Sequence, residues 1–323
     1  MLDRAAAVRP NIFNRLLHRR ESGIFLALVG LMAFITFFQP NFARANNLYL
    51  VSRQIALTAI IALGVFFVIL TGGIDLSVGS TVGLSGFMCG LAMAAGLHPL
   101  LAVAAGLLTG AAVGAVNGVI VAFVGVTPFI VTLGMLGVAR GVVLVIKHGD
   151  SVREISKSFI EIGNGSVLGF SVPVLILLFV AGAAHFVLKF TAFGRRVYAI
   201  GGNEEATALS GINTRKVKFF TYIICGALSA VTGMLFVARF QSAQADAGKG
   251  MELDAIAATV IGGTSLMGGE GSVVGVLIGA VIMGVIRNGL VLMEVSSYWQ
   301  ELIIGSIIVL AAILDIVRSR RRR

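Results

Sequence analysis

The sequence predicts an all-α polytopic membrane protein of about ten transmembrane helices, arranged as two inverted five-helix repeats with broken helices. Three observations carry that reading. The 323 residues are 57% hydrophobic and 12% charged, with a mean hydropathy of +0.98. That is too little polar surface to coat a soluble globule, and apolar runs of about 20 residues, enough to cross a bilayer of roughly 30 Å, recur along the chain. The net charge of +10 gathers in residues 1–22, 191–218 and 318–323, the clustering of Lys and Arg that membrane proteins keep on the cytoplasmic side. Finally, sliding the chain by 171 residues lays Asn117-Gly118 on Asn288-Gly289, Val124 on Val295 and Gly134 on Gly305. An odd number of spans per copy forces the copies into opposite orientations, which is the inverted-repeat plan of many transporters.

In chain order, residues 1–22 form a basic cytoplasmic N-terminus with Arg4, Arg9, Arg15, Arg19 and Arg20. The apolar run after Gly23 meets only Gln39-Pro40-Asn41, with no small-residue cleavage pattern, so it reads as an uncleaved first span rather than a signal peptide. The first transmembrane half is 23–190, with spans at 23–38, 54–71, 76–95, 100–124, 127–146 and 172–190, divided at His98-Pro99 and at Gly125 to Pro128. Arg44 and Arg53 fall in a loop that this count places outside, the one feature that resists the topology. The loop 147–171 balances three basic against three acidic residues and suits the outer side. The second half, 219–317, begins with the span at 217–238. A polar link with Asp246, Glu252 and Asp254 comes next, then a short apolar run at 255–266, spans at 272–293 and 299–317, and the basic tail 318–323. Both termini and the central loop are thereby expected inside.

That central loop, 191–218, carries Arg195, Arg196, Arg215, Lys216 and Lys218 against Glu204 and Glu205. Asn203 is a capping residue, the stretch to Ser210 consists of good helix formers, and Gly211 can close it as a C-terminal cap. The expectation is one short surface helix.

Catalytic chemistry has little to stand on. There is no G-x-x-x-x-G-K-[ST] phosphate loop, and His18, His98, His148 and His185 lie in four separate regions without ligand spacing. Cys89 and Cys225 sit inside apolar segments and read as small buried hydrophobes. The basic clusters lack interleaved aromatic residues, so they point to anionic lipid and topology, not to nucleic acid. Glycines at 106, 110, 114 and 118 make a smooth helix face, suited to static packing or to a moving interface. The stretch Thr71 to Ser80, TGGIDLSVGS, interrupts an apolar run, and Gly262 to Gly271 does the same in the second half. Such breaks are tolerated at membrane depth only where protein or a cavity covers them. Asp75 is either a helix cap or part of a translocation path; Asn117, Arg287 and Asn288 are the other path candidates, with interhelical hydrogen bonding as the alternative.

The strings ILTGGIDLSVGS (69–80), YAIGGNEEATALSGIN (198–213) and ELDAIAATVIGGTSLMGGEGSVVG (252–275) resemble the permease subunits of bacterial ABC-type monosaccharide importers, those for ribose above all. The resemblance spans roughly Pro40 to Asp315. It implies a homodimer in the bacterial inner membrane, a cytoplasmic ABC ATPase that holds the ATP and Mg, and a periplasmic sugar-binding protein that delivers solute; the chain itself would need no cofactor. It also implies that Asn203, Glu204, Glu205, Ala206, Leu209 and Gly211 belong to the helix that couples to the ATPase. Glu205-Ala206-Thr207 with Gly211 approximates the E-A-A-x-x-x-G pattern of ABC permeases, departing from it at Thr207 and lacking the Leu-Pro that often follows. Other sugar, nucleoside or branched-chain amino acid permeases are the nearest rivals. A secondary transporter would need coupling-ion ligands, for which few acids are available, and a membrane scaffold would have no use for broken helices.

Overall fold

The computed structural model describes residues 20–320, so the expectations for 1–19 and 321–323 lie outside the described residues. The helices, in order, are α1 (Arg20–Phe38), α2 (Ala45–Leu70), α3 (Val78–Ala94), α4 (Pro99–Val119), α5 (Pro128–Lys147), α6 (Lys157–Asn164), α7 (Val172–Phe190), α8 (Ala192–Gly202), α9 (Glu204–Leu209), α10 (Thr214–Phe240), α11 (Met251–Ile261), α12 (Val273–Leu292) and α13 (Ser297–Arg320). A hairpin of β1 (Ser166–Val167) and β2 (Phe170–Ser171) precedes α7. Among the described residues, six helices are long and apolar enough to cross a membrane: α2, α4 with its π-turn extension to Val124, α5, α7, α10 and α12. Shorter apolar helices run over Ser22–Phe38, Val78–Ala94 and Ser297–Ile313.

Local chemistry sets the boundaries. α4, α5 and α7 each open with a proline in the first turn, where the missing N–H costs no helical bond. α2 closes on Gly72 at φ +78, whose N–H bonds Ile69 O while Gly73 N–H reaches back to Val68 O. This is a Schellman stop, which needs a residue at ease in the left-handed region.

α2 and α10 are the buried axis, and α5 and α7 turn most of their surface to the surroundings. α2 and α10 run antiparallel: Gly64 lies against Cys225, and Thr232 Oγ1 donates to Leu57 O at 3.4 Å. α10 packs on α2, α3 and α4; α2 in turn packs on α10, α11 and α12; α3 contacts α4 and α5, as α11 contacts α12 and α13. The glycines at 110 and 114 press on the backbone of Gly226 and Tyr222, so that stripe is a packed contact between α4 and α10.

Contacts also sort the helix ends onto two faces. Gly201 of α8 touches Leu70 O, Gly268 and Gly269, and Phe219 packs on Phe123, so the ends of α2 and α4 and the starts of α10 and α12 share the face that carries α8 and α9. On the opposite face, Gly163 of α6 meets Ala238, and Val152 bridges Ala243. The starts of α3 and α11 meet between the faces, with Gly79 against Glu252 and Gly248 O. Residues 71–77 therefore turn back inward from one face and 241–250 from the other.

Several sequence expectations need correction. The second span begins at Ala45, not 54, so Arg53 lies within α2; its Nη2 donates to Gly163 O at 3.0 Å and Asn164 Oδ1 at 2.6 Å, which removes it as an unsatisfied loop charge. Residues 191–218 hold two helices before α10, because Thr191 Oγ1 caps Gly194 N and a face of Gly194, Val197 and Ile200 buries as a separate helix. The short apolar run is helical over Met251–Ile261, not 255–266. The loop 147–171 contains α6 and the hairpin, which the sequence reading leaves as loop.

Candidate coupling and translocation site

α9 is short and built to stay helical in water. Asn203 Oδ1 accepts from Ala206 N at 2.9 Å, and Glu204 and Glu205 sit in the first turn, where negative charge favours the helix dipole. Gly211, at φ +81, donates from its N–H to Ala208 O while Ile212 N–H reaches Thr207 O, closing the helix as a second Schellman stop. Only Thr207 is buried; Asn203, Glu204, Glu205 and Ala206 are exposed, and Leu209 is 89% exposed. Glu204 pairs with Lys218, which ties α9 to the first turns of α10.

The preceding helix makes the deeper contacts. Gly269 N–H donates to Leu70 O at 3.0 Å, joining the end of α2 to the loop before α12, and Gly201 sits on that bond so closely that a Cβ would overlap both partners. Tyr198 OH donates to Gly271 O at 3.0 Å. Burial pushes the Tyr198 hydroxyl pKa up, which keeps it a donor. α8 is thus wedged against both glycine-rich interruptions named from the sequence, at Gly72 and at Gly268–Gly271.

The four path candidates separate into different settings. Asp75 Oδ1 accepts from Ser77 N at 2.8 Å and Ser77 Oγ at 2.6 Å, and Asn117 Nδ2 donates to that same Oγ at 2.9 Å. Asp75, Ser77 and Asn117 are all buried, forming a turn that feeds α3 rather than a cap on its first-turn amides. Asn288 exchanges hydrogen bonds with Asn47 at 2.9 and 3.0 Å. Arg287 Nη2 donates to Asp254 Oδ1 at 2.6 Å and lines a cavity of about 260 Å³ between α2, α10, α11 and α12.

Sequence reasoning missed Tyr198, Gly201 and Arg140. Arg140 Nη1 donates to Ala245 O at 3.0 Å and Ala247 O at 2.9 Å, holding the inward-turning segment 241–250. The signal was present: Arg140 is the lone charge in the run 128–146, and an ionisable group inside a span demands a partner. Among the described residues, no group of three or more His, Cys, Asp or Glu side chains is placed to hold a metal ion.

The profile of the family described as branched-chain amino acid transport system / permease component matches residues 47–312. The chain belongs to that family. This permease is 47% identical over 299 residues to the ribose import permease protein RbsC of Escherichia coli (strain K12), covering 91% of the chain and 93% of the relative. It is 42% identical over 302 residues to RbsC of Bacillus subtilis (strain 168), covering 93% and 94%. The D-allose transport system permease protein AlsC of Escherichia coli (strain K12) is 39% identical over 310 residues, covering 95% of each chain. No solved structure matches the permease significantly.

Proposed function

We propose that this permease is the membrane subunit of an ATP-driven ABC importer that carries ribose from periplasm to cytoplasm. The observation that carries the reading is identity of 42–47% with ribose import permeases across more than nine-tenths of the chain. The permease works as a homodimer in the inner membrane, receives sugar from a periplasmic binding protein, and takes its power from a cytoplasmic ATPase that binds ATP and Mg.

The face with α8 and α9 is the cytoplasmic one, and both termini lie there. Supporting this, Lys189, Arg195, Arg196, Arg215, Lys216 and Lys218 crowd that face. The about ten spans form two inverted repeats. What supports the repeat is the antiparallel pairing of α2 with α10 and the similar partners on each side: exchanging α2, α3, α4 and α5 for α10, α11, α12 and α13 maps the contacts of α10 with α3 and α4 onto those of α2 with α11 and α12, and those of α3 with α4 and α5 onto those of α11 with α12 and α13.

Residues 203–211 are the docking helix. Leu209, Ala206 and Glu205 meet the ATPase, and α8 passes its displacement to the junction of Leu70, Gly201 and Gly269, from which α3 and α12 both continue. A rigid helix pressed on a hydrogen bond between two broken segments transmits rigid-body motion without deforming a span.

Proteoliposomes holding the permease with its ATPase and binding protein should take up ribose only with ATP inside or at the ATPase side, and the permease alone should hydrolyse none. Uptake driven by a proton or sodium gradient without the ATPase would contradict this reading. Lys157→Cys should react with impermeant thiol reagent from outside the cell and Ser210→Cys should not; both positions are exposed, so accessibility alone does not decide the outcome.

A further inference from the structure

The geometry points to the cavity between α2, α10, α11 and α12 as a monosaccharide-binding site within the permease, where sugar pauses after leaving the binding protein. This rests on the importer reading above. The cavity, about 260 Å³, is lined by Gln54, Thr58, Arg239, Lys249, Asp254 and Arg287 among others. Ligand pockets for drug-sized molecules run to roughly 300–1,000 Å³, so this volume suits something smaller, of single-ring size.

Its polarity is graded. Thr58 and Asp254 are 8% and 6% exposed and form the floor, while Gln54, Lys249 and Phe240 are exposed at the mouth. The mouth lies at the end of α10 and the outer half of α2, the face opposite α8 and α9, where a periplasmic donor would stand. Helix packing does not require such a lining: a span that only packs buries apolar or small side chains, and here five ionisable or amide groups and a hydroxyl converge instead.

The chemistry fits vicinal hydroxyls. Asp254 Oδ1 is held by Arg287 Nη2 at 2.6 Å, which fixes the carboxylate and leaves Oδ2 to accept from a sugar O–H. The remaining Arg287 N–H groups and Lys249 can donate to ring and hydroxyl oxygens. Phe236 and Phe240, 4.3 Å apart and tilted by 38°, give the C–H face of a sugar ring an apolar wall. A fixed polar pair against an apolar wall is the arrangement that orients a small polar ligand.

The test uses the reconstituted importer with Gln54→Cys, read by thiol labelling; Cys89 and Cys225 are fully buried and do not compete. Ribose at ten times the concentration that half-saturates the site leaves about one cavity in ten open, so labelling should slow about tenfold, and mannitol should not slow it. Arg287→Gln in the same background should abolish the protection while labelling without sugar keeps its rate. Thr58→Cys, on the floor, repeats the measurement should Arg287→Gln fail to assemble. Equal labelling with and without ribose in an importer that still takes up ribose overturns the site and leaves the importer reading intact. Protection by ribose 5-phosphate or inorganic phosphate without protection by ribose overturns it as well, in favour of an anion site. An importer that takes up no monosaccharide overturns the function itself.

Discussion

Residues 71–77 and 241–250 both leave a long helix, turn back toward the centre and start a half-length helix there, yet they are held in different ways. In the first, Thr71, Asp75 and Ser77 are buried, and the polar groups satisfy one another locally with help from Asn117. In the second, Gln241, Asp246 and Lys249 are exposed, the backbone is pinned from outside the segment by Arg140 and by the Val152–Ala243 bridge, and the far end opens into the cavity. Backbone at membrane depth must find partners in protein or in a water-lined space. One break uses the first solution and the other combines both, so the first is a closed block, and under the proposed function the second is the adaptable wall of the sugar's path.

Breaking the closed segment should cost most. Asn117→Leu leaves the buried Ser77 hydroxyl short of a donor, at roughly 1–3 kcal/mol for the orphaned group. The expected outcome is the largest fall in the aggregation temperature of the detergent-solubilised permease, with loss of uptake following from loss of fold. Arg140→Met should cost less. It frees two carbonyls, Ala245 O and Ala247 O, but Asp246 between them is exposed, so a small shift of this segment brings them to solvent, and a smaller fall in aggregation temperature and a clear fall in ribose uptake are expected. A larger stability loss for Arg140→Met than for Asn117→Leu would reverse the comparison.

The smallest effect on stability belongs to Gly211→Val. Nothing lies within 4 Å of a Cβ there, so the cost is the left-handed backbone at φ +81, about 1–2 kcal/mol. The strain falls on α9 alone, so the aggregation temperature should hold while co-purification of the ATPase drops. Glu205→Lys should weaken co-purification too, through charge and without strain. Wild-type ATPase retention by both variants would remove α9 from the docking surface.

The contrast between the breaks also marks where the sequence could be read. Spans at 172–190 and 127–146 are legible because each is a continuous apolar run opened by proline, and composition alone decides them. Gly211 is legible because a helix stop is local: the residues that need it lie within five positions. Arg140 and Gly201 are not legible in the same sense. Their partners stand more than a hundred residues away or on a helix end and a distant loop, and a single Arg or a Gly-Gly pair does not say what it will touch. Arg53 misleads for the same reason, since the Asn164 that satisfies it belongs to a helix hidden in a polar loop. The path candidates Asp75 and Asn117 were found by residue type, but only the fold shows that they bond to one hydroxyl while Arg287 faces a cavity.

The central proposal is that motion from the ATPase reaches the interruptions at 71–77 and 262–271 through Gly201. Gly201→Ala tests it with one methyl group, placed where it must separate Leu70 O from Gly269 N, while the docking residues 203–211 stay unchanged. In proteoliposomes with the ATPase and binding protein, the account predicts that ATPase still co-purifies and hydrolyses ATP but that ribose uptake per ATP hydrolysed collapses. Uptake and hydrolysis both at wild-type values would contradict it.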